Sequence, residues 1–229
     1  MKLIQVLSNG VKMFDNFNYA EIVLHGVMNR GNVRELKTEP DFYGKHDFYD
    51  CYMSAYRFTD DYKTYADTNK TVRDYNGICH SEYLFFDFDS PHADLALDEV
   101  RNFTGKIIDK TPDSIIDDML FYFSGNKGFH VLIKQNLEPS VELPEIVKKY
   151  CFALGKEFST FDRSIYDKTR ILRIPNSKHR KSCLYKIPLL PGEIFGYTLE
   201  EIRELAKQQR SIPDAVNFYS KKVRHNVIA

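Results

Sequence analysis

Two aspartates, Asp87 and Asp89, end a run of large apolar residues at 83–86. The run is short, rich in aromatic residues and bounded by polar ones, which predicts a buried β-strand. Because residues two apart on a strand share a face, both carboxylates point the same way. Two anions held this close raise each other's pKa, so the pair indicates either a shared proton or a hard divalent cation that neutralises it.

A glycine-containing turn, Ser124-Gly-Asn-Lys-Gly-Phe-His130, joins two apolar segments at 118–123 and 129–133 that predict strands. Glycines let backbone N–H groups approach an anion closely, and the lysine adds positive charge. His130 comes just inside the second strand, where a rigid scaffold would hold it. The turn alone is explained by a plain hairpin, and His130 alone by a histidine packed in the core. The presence of both together favours an anion site.

A dense cationic segment follows the turn. Residues 163–186 include eight basic residues and one acidic residue, a net charge of +7, whereas residues 82–118 include ten acidic and three basic residues, a net charge of −7. The whole chain of 229 residues is neutral, with 32 residues of each sign. A negative centre with a later positive segment suits cations beside a polyanionic ligand, and arginine suits phosphate. For Lys178 or Arg180 alone, a solvated loop is the simpler interpretation.

Cysteine spacing and hydropathy set the general class of protein. The four cysteines are far apart and form no Cys-x-x-Cys pair, so no structural zinc is predicted. No apolar stretch approaches the roughly 20 residues of a membrane span, and the apolar run at 1–6 is too short for a signal peptide. We expect a reduced, cytoplasmic protein without a membrane partner.

Apolar periodicity positions further elements around these segments. Helices are predicted at 93–109, at 143–158 and from a capping box at Thr198 to about residue 209. Three more strands are predicted at 2–7, 19–27 and 51–58, separated by polar connections at 28–50 and 59–81. The side chains expected in the core are Phe85, Phe86, Phe88, Val131, Ile133, Val147, Leu154 and Leu172.

In their order and spacing, the three polar segments resemble the archaeo-eukaryotic primase superfamily of catalytic primase subunits and primase-polymerases. That family has an Asp-x-Asp pair, a Ser-Gly-x-x-Gly-x-His segment and an apolar-Asp pair followed by Arg-Leu-x-Arg-x-Pro-x-Ser-x-His. The corresponding segments here are Asp87-Phe-Asp89, Ser124 to His130, and Phe161-Asp162 with Arg170-Ile-Leu-Arg-Ile-Pro-Asn-Ser-Lys-His179. The resemblance covers about 82–188, and it departs from the family's usual residues at Lys178 and Cys183.

The resemblance implies an α+β fold. An antiparallel sheet of RNA-recognition-motif-like topology would carry the catalytic carboxylates and pack with a second α/β unit. We expect one catalytic domain at 1–210, made of two closely packed subdomains at about 1–80 and 81–210. A basic C-terminal tail or linker is expected at 211–229.

The resemblance also implies the composition of the site. Two Mg²⁺ or Mn²⁺ ions would be ligated by Asp87, Asp89 and Asp162, and His130 would complete the catalytic set. The apolar residue before Asp162 and the resemblance favour it over Asp167 as the third carboxylate. Contacts to the nucleotide phosphates are expected from Ser124, Gly125, Lys127, Gly128, His130, Arg170, Arg173, Ser177, His179 and Lys181.

The function expected from the resemblance is that of a DNA primase or primase-polymerase, a nucleotidyltransferase that makes or extends primers on single-stranded DNA from nucleoside triphosphates. A primase large subunit, a helicase or another replication protein would be its partner, which extends the expected location to the nucleoid. Zero net charge predicts weak stand-alone affinity for DNA. Three alternatives stay open: an end-joining polymerase of the same superfamily, a metal-dependent phosphodiesterase or nuclease, and a non-catalytic nucleic-acid-binding module.

Overall fold

The computed structural model describes residues 14–26, 30–36, 49–111, 113–210 and 212. The strand predicted at 2–7 lies outside these residues, as does the tail predicted at 211–229 apart from Ile212. The strands are β1 (Tyr19–Val23), β2 (Val33–Glu35), β3 (Tyr52–Ser54), β4 (Arg57–Phe58), β5 (Cys79–His80), β6 (Tyr83–Asp89), β7 (Met119–Phe123), β8 (Gly128–Lys134), β9 (Ile171–Arg173) and β10 (Ile187–Leu189). The helices are α1 (Asp60–Asn69), α2 (Ala93–Ile108), α3 (Leu143–Gly155), α4 (Pro191–Gly196) and α5 (Leu199–Leu205), with a 3-10 helix at Asp113–Asp118.

The chain is α+β, with two antiparallel sheets among its described residues. The first sheet has the order β5-β4-β1-β3-β9, and β2 also pairs with β1. The segment predicted as one strand at 51–58 forms two short ones, β3 and β4, and the polar connections contain β2, α1 and β5. Because β9 comes from residues 171–173, the later half of the chain supplies an edge strand to a sheet built by the first half.

The second sheet has the order β10-β7-β8-β6 and carries the residues that opened the sequence analysis. All seven residues of β6 pair with β8, from Tyr83 opposite Lys134 to Asp89 opposite Gly128. On one face of β6, Phe86 and Phe88 both pack against the Phe103 ring of α2, at 4.6 and 5.2 Å between centroids. This apolar face anchors the strand against the helical layer.

The opposite face of β6 is where the two sheets meet. Phe85, on the same face as Asp87, has its ring 5.6 Å from that of Tyr56, just before β4, and 5.2 Å from that of Tyr166. The Tyr166 hydroxyl also donates to the Phe85 carbonyl at 2.9 Å. The aromatic contact between the sheets therefore involves Phe85, and Asp87 is the next residue along the same face of β6.

Helix boundaries follow local chemistry. The helices predicted at 93–109 and 143–158 are α2 and α3, and α3 ends three residues early, at Gly155. A Cβ at Gly155 would lie 2.9 Å from the Phe161 ring, which packs against that end of the helix. The capping box at Thr198 is confirmed, because its hydroxyl accepts from the Glu201 N–H and the Glu201 carboxylate accepts from the Thr198 N–H.

The hydrophobic core contains every residue that the sequence placed there. All eight predicted core side chains are buried, and the least buried of them, Leu172, is 7% exposed. None of the helices in the described part of the chain is long and apolar enough to span a membrane.

Candidate functional site

Asp87 and Asp162 lie side by side on neighbouring backbone segments. The segment that carries Asp162 runs antiparallel to the end of β6, with a bridge between Phe88 and Phe161. The Asp162 N–H donates to the Asp87 carbonyl at 2.8 Å. This register puts Asp162 directly opposite Asp87, so their carboxylates leave the same face of the sheet while the phenylalanines enter the core.

Asp89 belongs to the same face, two residues beyond Asp87. Its N–H donates to the Thr160 carbonyl at 2.8 Å, and it opposes Gly128 across β6 and β8. A Cβ at Gly128 would lie 2.5 Å from the Phe88 carbonyl oxygen, so glycine is what lets β8 pass this close. The missing side chain also leaves the sheet face open beside Asp89.

A row of paired residues crosses the sheet through Asp87. His130 opposes Asp87 across β6 and β8, and Tyr122 opposes His130 across β7 and β8. His130 Nε2 lies 3.7 Å from Asp87 Oδ1. The structure thus brings together three segments that are far apart in sequence, which carry the three predicted metal-binding carboxylates and the predicted catalytic histidine.

The Asp87 carboxyl group resists ionisation. Burial raises its pKa, and the negative charges of Asp89 and Asp162 raise it further, to about 7, against the opposing effect of Lys186 and Arg170. A bound cation would remove the repulsion that raises the pKa. Three oxygen-donor carboxylates in mutual repulsion fit a hard divalent cation such as Mg²⁺ or Mn²⁺.

Polar neighbours hold the other two carboxylates. Asp89 Oδ2 pairs with Lys127 Nζ at 2.9 Å, and Asp162 Oδ1 accepts from the N–H and the hydroxyl of Ser164, each at 2.8 Å. With the side chains in these positions, no group of three His, Cys, Asp or Glu residues within the described ranges is arranged to hold a metal ion. Ligation by all three carboxylates would require Lys127 to release Asp89.

His130 rests on a buried lysine. Lys186 Nζ lies 2.9 Å from His130 Nδ1 and donates to the Arg173 carbonyl at 2.7 Å. Burial lowers the pKa of His130 well below its ordinary value, and the charges of Lys186 and Arg173 lower it further. Burial also lowers the pKa of Lys186, against the attraction of Asp87. Lys186 was not predicted as a site residue, although a lysine between the apolar neighbours Tyr185 and Ile187 was a signal of burial.

The glycine turn is tied to itself and to the segment before β10. The Ser124 N–H donates to the Gly128 carbonyl at 2.9 Å, and the Gly128 N–H donates to the Ser124 hydroxyl at 3.2 Å. Gly125 has a φ of +86°, and a Cβ there would lie 2.9 Å from the Leu184 carbonyl oxygen. The Ser182 hydroxyl donates to the Gly125 carbonyl. Both glycines are thus needed for close backbone approach, and the turn is fixed beside Asp89.

Arg173 already holds a carboxylate. Its guanidinium donates to Asp50 Oδ1 at 2.7 Å and to the Tyr52 hydroxyl at 2.8 Å, and it lies 4.8 Å from the centre of the Tyr52 ring. Arg180 Nε is 3.2 Å from the other oxygen of Asp50. Burial opposes ionisation of Asp50, but the hydrogen bond from Arg173 outweighs it and lowers the Asp50 pKa. Asp50 was not predicted as a site residue, because it precedes β3 and no sequence pattern links it to Arg173.

Arg170 is half-buried close to the segment that carries Asp162. Its guanidinium pairs with Asp167 Oδ2 at 2.8 Å and donates to the Ser164 carbonyl at 2.8 Å. Its buried Nε has no hydrogen-bond partner among the described residues. Its charge lowers the Asp87 pKa, so Arg170 acts electrostatically on Asp87, whereas Asp167 is exposed and paired with Arg170.

The remaining predicted phosphate contacts differ in exposure. Ser177 is buried, and its hydroxyl accepts from the Cys51 N–H at 2.8 Å. His179 is half-buried, and its Nδ1 accepts from the Ser182 N–H at 3.3 Å. Burial lowers the pKa of His179, and the exposed Lys181 adds to this effect. Ser177 therefore shapes the loop, while His179 and Lys181 lie nearer its surface.

Glu99 of α2 fixes the segment that leads to Asp162. Its carboxylate accepts four hydrogen bonds, from the N–H and hydroxyl groups of Ser159 at 2.9 and 2.7 Å and from those of Thr160 at 2.7 and 2.6 Å. Such bonds to a charged acceptor are worth about twice those between neutral groups. Residue 160 is bonded to β6, so Glu99 helps to set the register of Asp162 against Asp87. The amphipathic pattern of α2 gave no reason to single it out.

We expect Glu99→Gln to weaken Mn²⁺ binding by roughly 10- to 100-fold, the usual cost of losing a group that orients a metal ligand. An amide cannot accept all four bonds, because one of its two polar atoms is a donor. Isothermal titration with Mn²⁺ measures the change. Asp98→Asn is the matched control, since Asp98 precedes Glu99 on α2 and pairs with Arg101 of the same helix, at 3.0 Å. Equal weakening by both variants would refute the role of Glu99.

Comparison of the chain with models of known protein families finds no match, and neither does a search of curated proteins.

Proposed function

We propose that this chain is a DNA-directed nucleotidyltransferase, a primase or primase-polymerase that synthesises or extends primers on a single-stranded DNA template. One observation carries the proposal. Asp162, beyond α3, is 73 positions or more from Asp87 and Asp89 of β6 in sequence, yet the three come together on one sheet face in adjacent positions. Nothing in the packing of the core demands three carboxylates there.

The order of elements in the second sheet supports the same proposal. The chain runs β6-α2-β7-β8-α3 and then returns through residues 160–162, which lie beside the end of β6. Across the sheet, the order is therefore 160–162, β6, β8 and β7, with β10 added beyond β7. This order corresponds to the RNA-recognition-motif-like topology implied by the primase resemblance.

The chemistry proposed is an in-line phosphoryl transfer, in which alignment and charge stabilisation do most of the catalytic work. Two Mg²⁺ or Mn²⁺ ions, when bound by Asp87, Asp89 and Asp162, would supply Lewis-acid activation of the attacking hydroxyl and neutralise the leaving pyrophosphate. Three carboxylates against four positive charges leave one positive charge for the triphosphate. His130 would donate to a phosphate oxygen from the same face.

Charge around the carboxylates supports binding of a triphosphate. Lys127 and Arg170 border the two ends of the acidic cluster, one paired with Asp89 and the other with Asp167. A phosphate would compete for Lys127 as metal ions took over Asp89, so that ion and nucleotide would bind together. Arg173 would act on triphosphate binding only indirectly, through its hydrogen bond to Asp50, unless a phosphate displaces the Asp50 carboxylate.

The direct test is template-dependent incorporation of nucleotides into a primed single-stranded DNA, with Mg²⁺ or Mn²⁺. We expect incorporation by the natural chain, and a loss of about 10³-fold or more in Asp87→Ala and Asp89→Ala, since metal-assisted charge stabilisation is worth several kcal/mol. Asp117→Ala, which changes an exposed carboxylate away from the cluster, should leave the rate within a few-fold.

Undiminished incorporation by both aspartate variants would refute the proposal. Metal-dependent loss of DNA without any requirement for triphosphate would assign the carboxylates to a phosphodiesterase. Binding of DNA that is independent of metal, with no turnover of either kind, would assign the acidic pair a structural role in a binding module.

A further inference from the structure

Lys186 is a fully buried cation beneath the candidate site. Its side chain has no exposed surface, and its Nζ lies 4.7 Å from the centre of the Tyr122 ring. Lysine is almost never fully buried unless it is paired, because removing an ammonium group from water is costly. Two of its polar partners are His130 Nδ1 and the Arg173 carbonyl, so its burial is tied in part to these groups.

The backbone around Lys186 is fixed on both sides. Its N–H donates to the Ser177 carbonyl at 3.0 Å, and its own carbonyl accepts from the Asn176 N–H at 2.7 Å. Residue 187 then begins β10, which pairs with β7. The side chain therefore leaves a rigid backbone and reaches under the sheet face that carries His130.

The partners of Lys186 decide which nitrogen of His130 carries the proton. An ammonium group has three donors and no acceptor, and the Arg173 carbonyl can only accept. With Lys186 charged, Nδ1 of His130, 2.9 Å away, accepts from its ammonium group, which leaves the hydrogen on Nε2. Nε2 is the nitrogen that faces Asp87 and the open side of the sheet, at 3.7 Å from Asp87 Oδ1.

We propose that Lys186 is a positioning residue that donates to His130 Nδ1 and so presents the Nε2–H of the imidazole to a phosphate oxygen of the nucleotide. The assignment of the ligand rests on the proposed function, whereas the hydrogen bond and the tautomer do not. A histidine held this way is a donor that does not need a positive charge. The depressed pKa of His130, caused first by burial, agrees with an uncharged ring.

The tautomer can be read in the natural chain without nucleotide or metal. Long-range proton–nitrogen correlation spectra of protein labelled with ¹⁵N-histidine separate the two neutral tautomers and the imidazolium, and His130→Asn identifies the signal. We expect a protonated Nε2 and an unprotonated Nδ1. A protonated Nδ1, or protonation of both nitrogens at pH 7.5, would overturn the proposal, whatever the protein binds.

Lys186→Met tests the cause. Methionine keeps an unbranched side chain of similar volume but cannot donate, so we expect His130 to become a mixture of tautomers and Mn²⁺-ATP to bind roughly 10- to 100-fold more weakly. Lys134→Met is the control, because Lys134 lies on β8, the strand that carries His130, and pairs with Asp118 at 3.0 Å. It should leave the tautomer of His130 and the affinity for Mn²⁺-ATP unchanged.

Each outcome separates the two proposals. An unchanged tautomer in Lys186→Met would overturn the role of Lys186, and so would an unchanged affinity for Mn²⁺-ATP. If Lys186→Met does not fold, the tautomer of the natural chain still decides. The expected tautomer together with no binding of Mn²⁺-ATP by the natural chain would refute the proposed function and support the Lys186–His130 bond.

Discussion

Asp162→Asn should lower the rate of nucleotide incorporation by about 10³-fold or more, while Asp167→Asn changes it by no more than a few-fold. The two residues are the rival third carboxylates of the sequence, five positions apart. Only Asp162 opposes Asp87 on the sheet face. Losing a metal ligand removes charge stabilisation worth several kcal/mol in the transition state, and each 1.4 kcal/mol is tenfold in rate.

The substitution at 162 is mild in structural terms. Its backbone N–H would still donate to the Asp87 carbonyl, and an asparagine oxygen would still accept from the Ser164 N–H and hydroxyl. A loss of activity would then come from the lost charge and not from a displaced loop. Single-turnover rates at saturating Mn²⁺ and triphosphate, with circular dichroism to verify folding, provide the measurement.

Asp167→Asn is the matched control for Asp162→Asn. Asp167 is exposed, and its carboxylate pairs with Arg170 and accepts from the Thr169 hydroxyl. Loss of the pair would loosen Arg170 and weaken its effect on Asp87, which explains a change of a few-fold. A larger loss in Asp167→Asn than in Asp162→Asn would exchange their roles.

The sequence was sufficient for the parts of this fold that depend on local periodicity. The apolar-to-Asp pattern of β6 and the helical spacing of α2 and α3 both identify elements whose buried faces match the core that was predicted. Short strands were harder, because a strand of two or three residues such as β4 or β9 has too few residues to show a period of two. Those strands form because a partner already exists.

Residues that act through long-range contacts could not be predicted in the same way. Asp50 is 123 positions from its partner Arg173, and Glu99 is 60 or 61 positions from the residues it holds. Each is one acidic residue among many in a polar connection or on a helix surface. By contrast, Asp162 was singled out by the apolar residue before it and by the family resemblance, and the structure places it opposite Asp87 because that apolar residue, Phe161, pairs with Phe88.

The carboxylate cluster should destabilise the metal-free protein, and Asp87→Asn should restore the lost stability. The Asp87 pKa is about 7 in the folded chain, above its ordinary value of 3.8. Between these two pH values the folded chain binds more protons than the unfolded chain, so this group lowers the free energy of unfolding as pH rises from about 4 to 7. Above pH 7 its effect is constant.

The comparison of Asp87→Asn with the natural chain isolates this effect. His130 has a lowered pKa, so below about pH 6.5 it raises the free energy of unfolding as pH rises, which is opposite to the effect of Asp87. His130 does so in both proteins. We expect the difference in Tm between the variant and the natural chain to grow in favour of the variant from pH 4 to pH 7 and then to level off. Asp117→Asn, at an exposed carboxylate, should show no such trend.

Mn²⁺ should make the natural chain more stable than Asp87→Asn, the reverse of their order without metal. Metal binding requires ionised carboxylates, so stabilisation of the natural chain by Mn²⁺ should increase with pH through 7. At about 100 times Kd, the ion adds about 2.7 kcal/mol to the free energy of unfolding, roughly 5–10 °C in Tm for a chain of this size. Asp87→Asn should lose most of this gain. Equal Mn²⁺ stabilisation of both proteins at pH 8 would show that the ion binds elsewhere, and a flat difference in Tm across pH would show that Asp87 ionises normally.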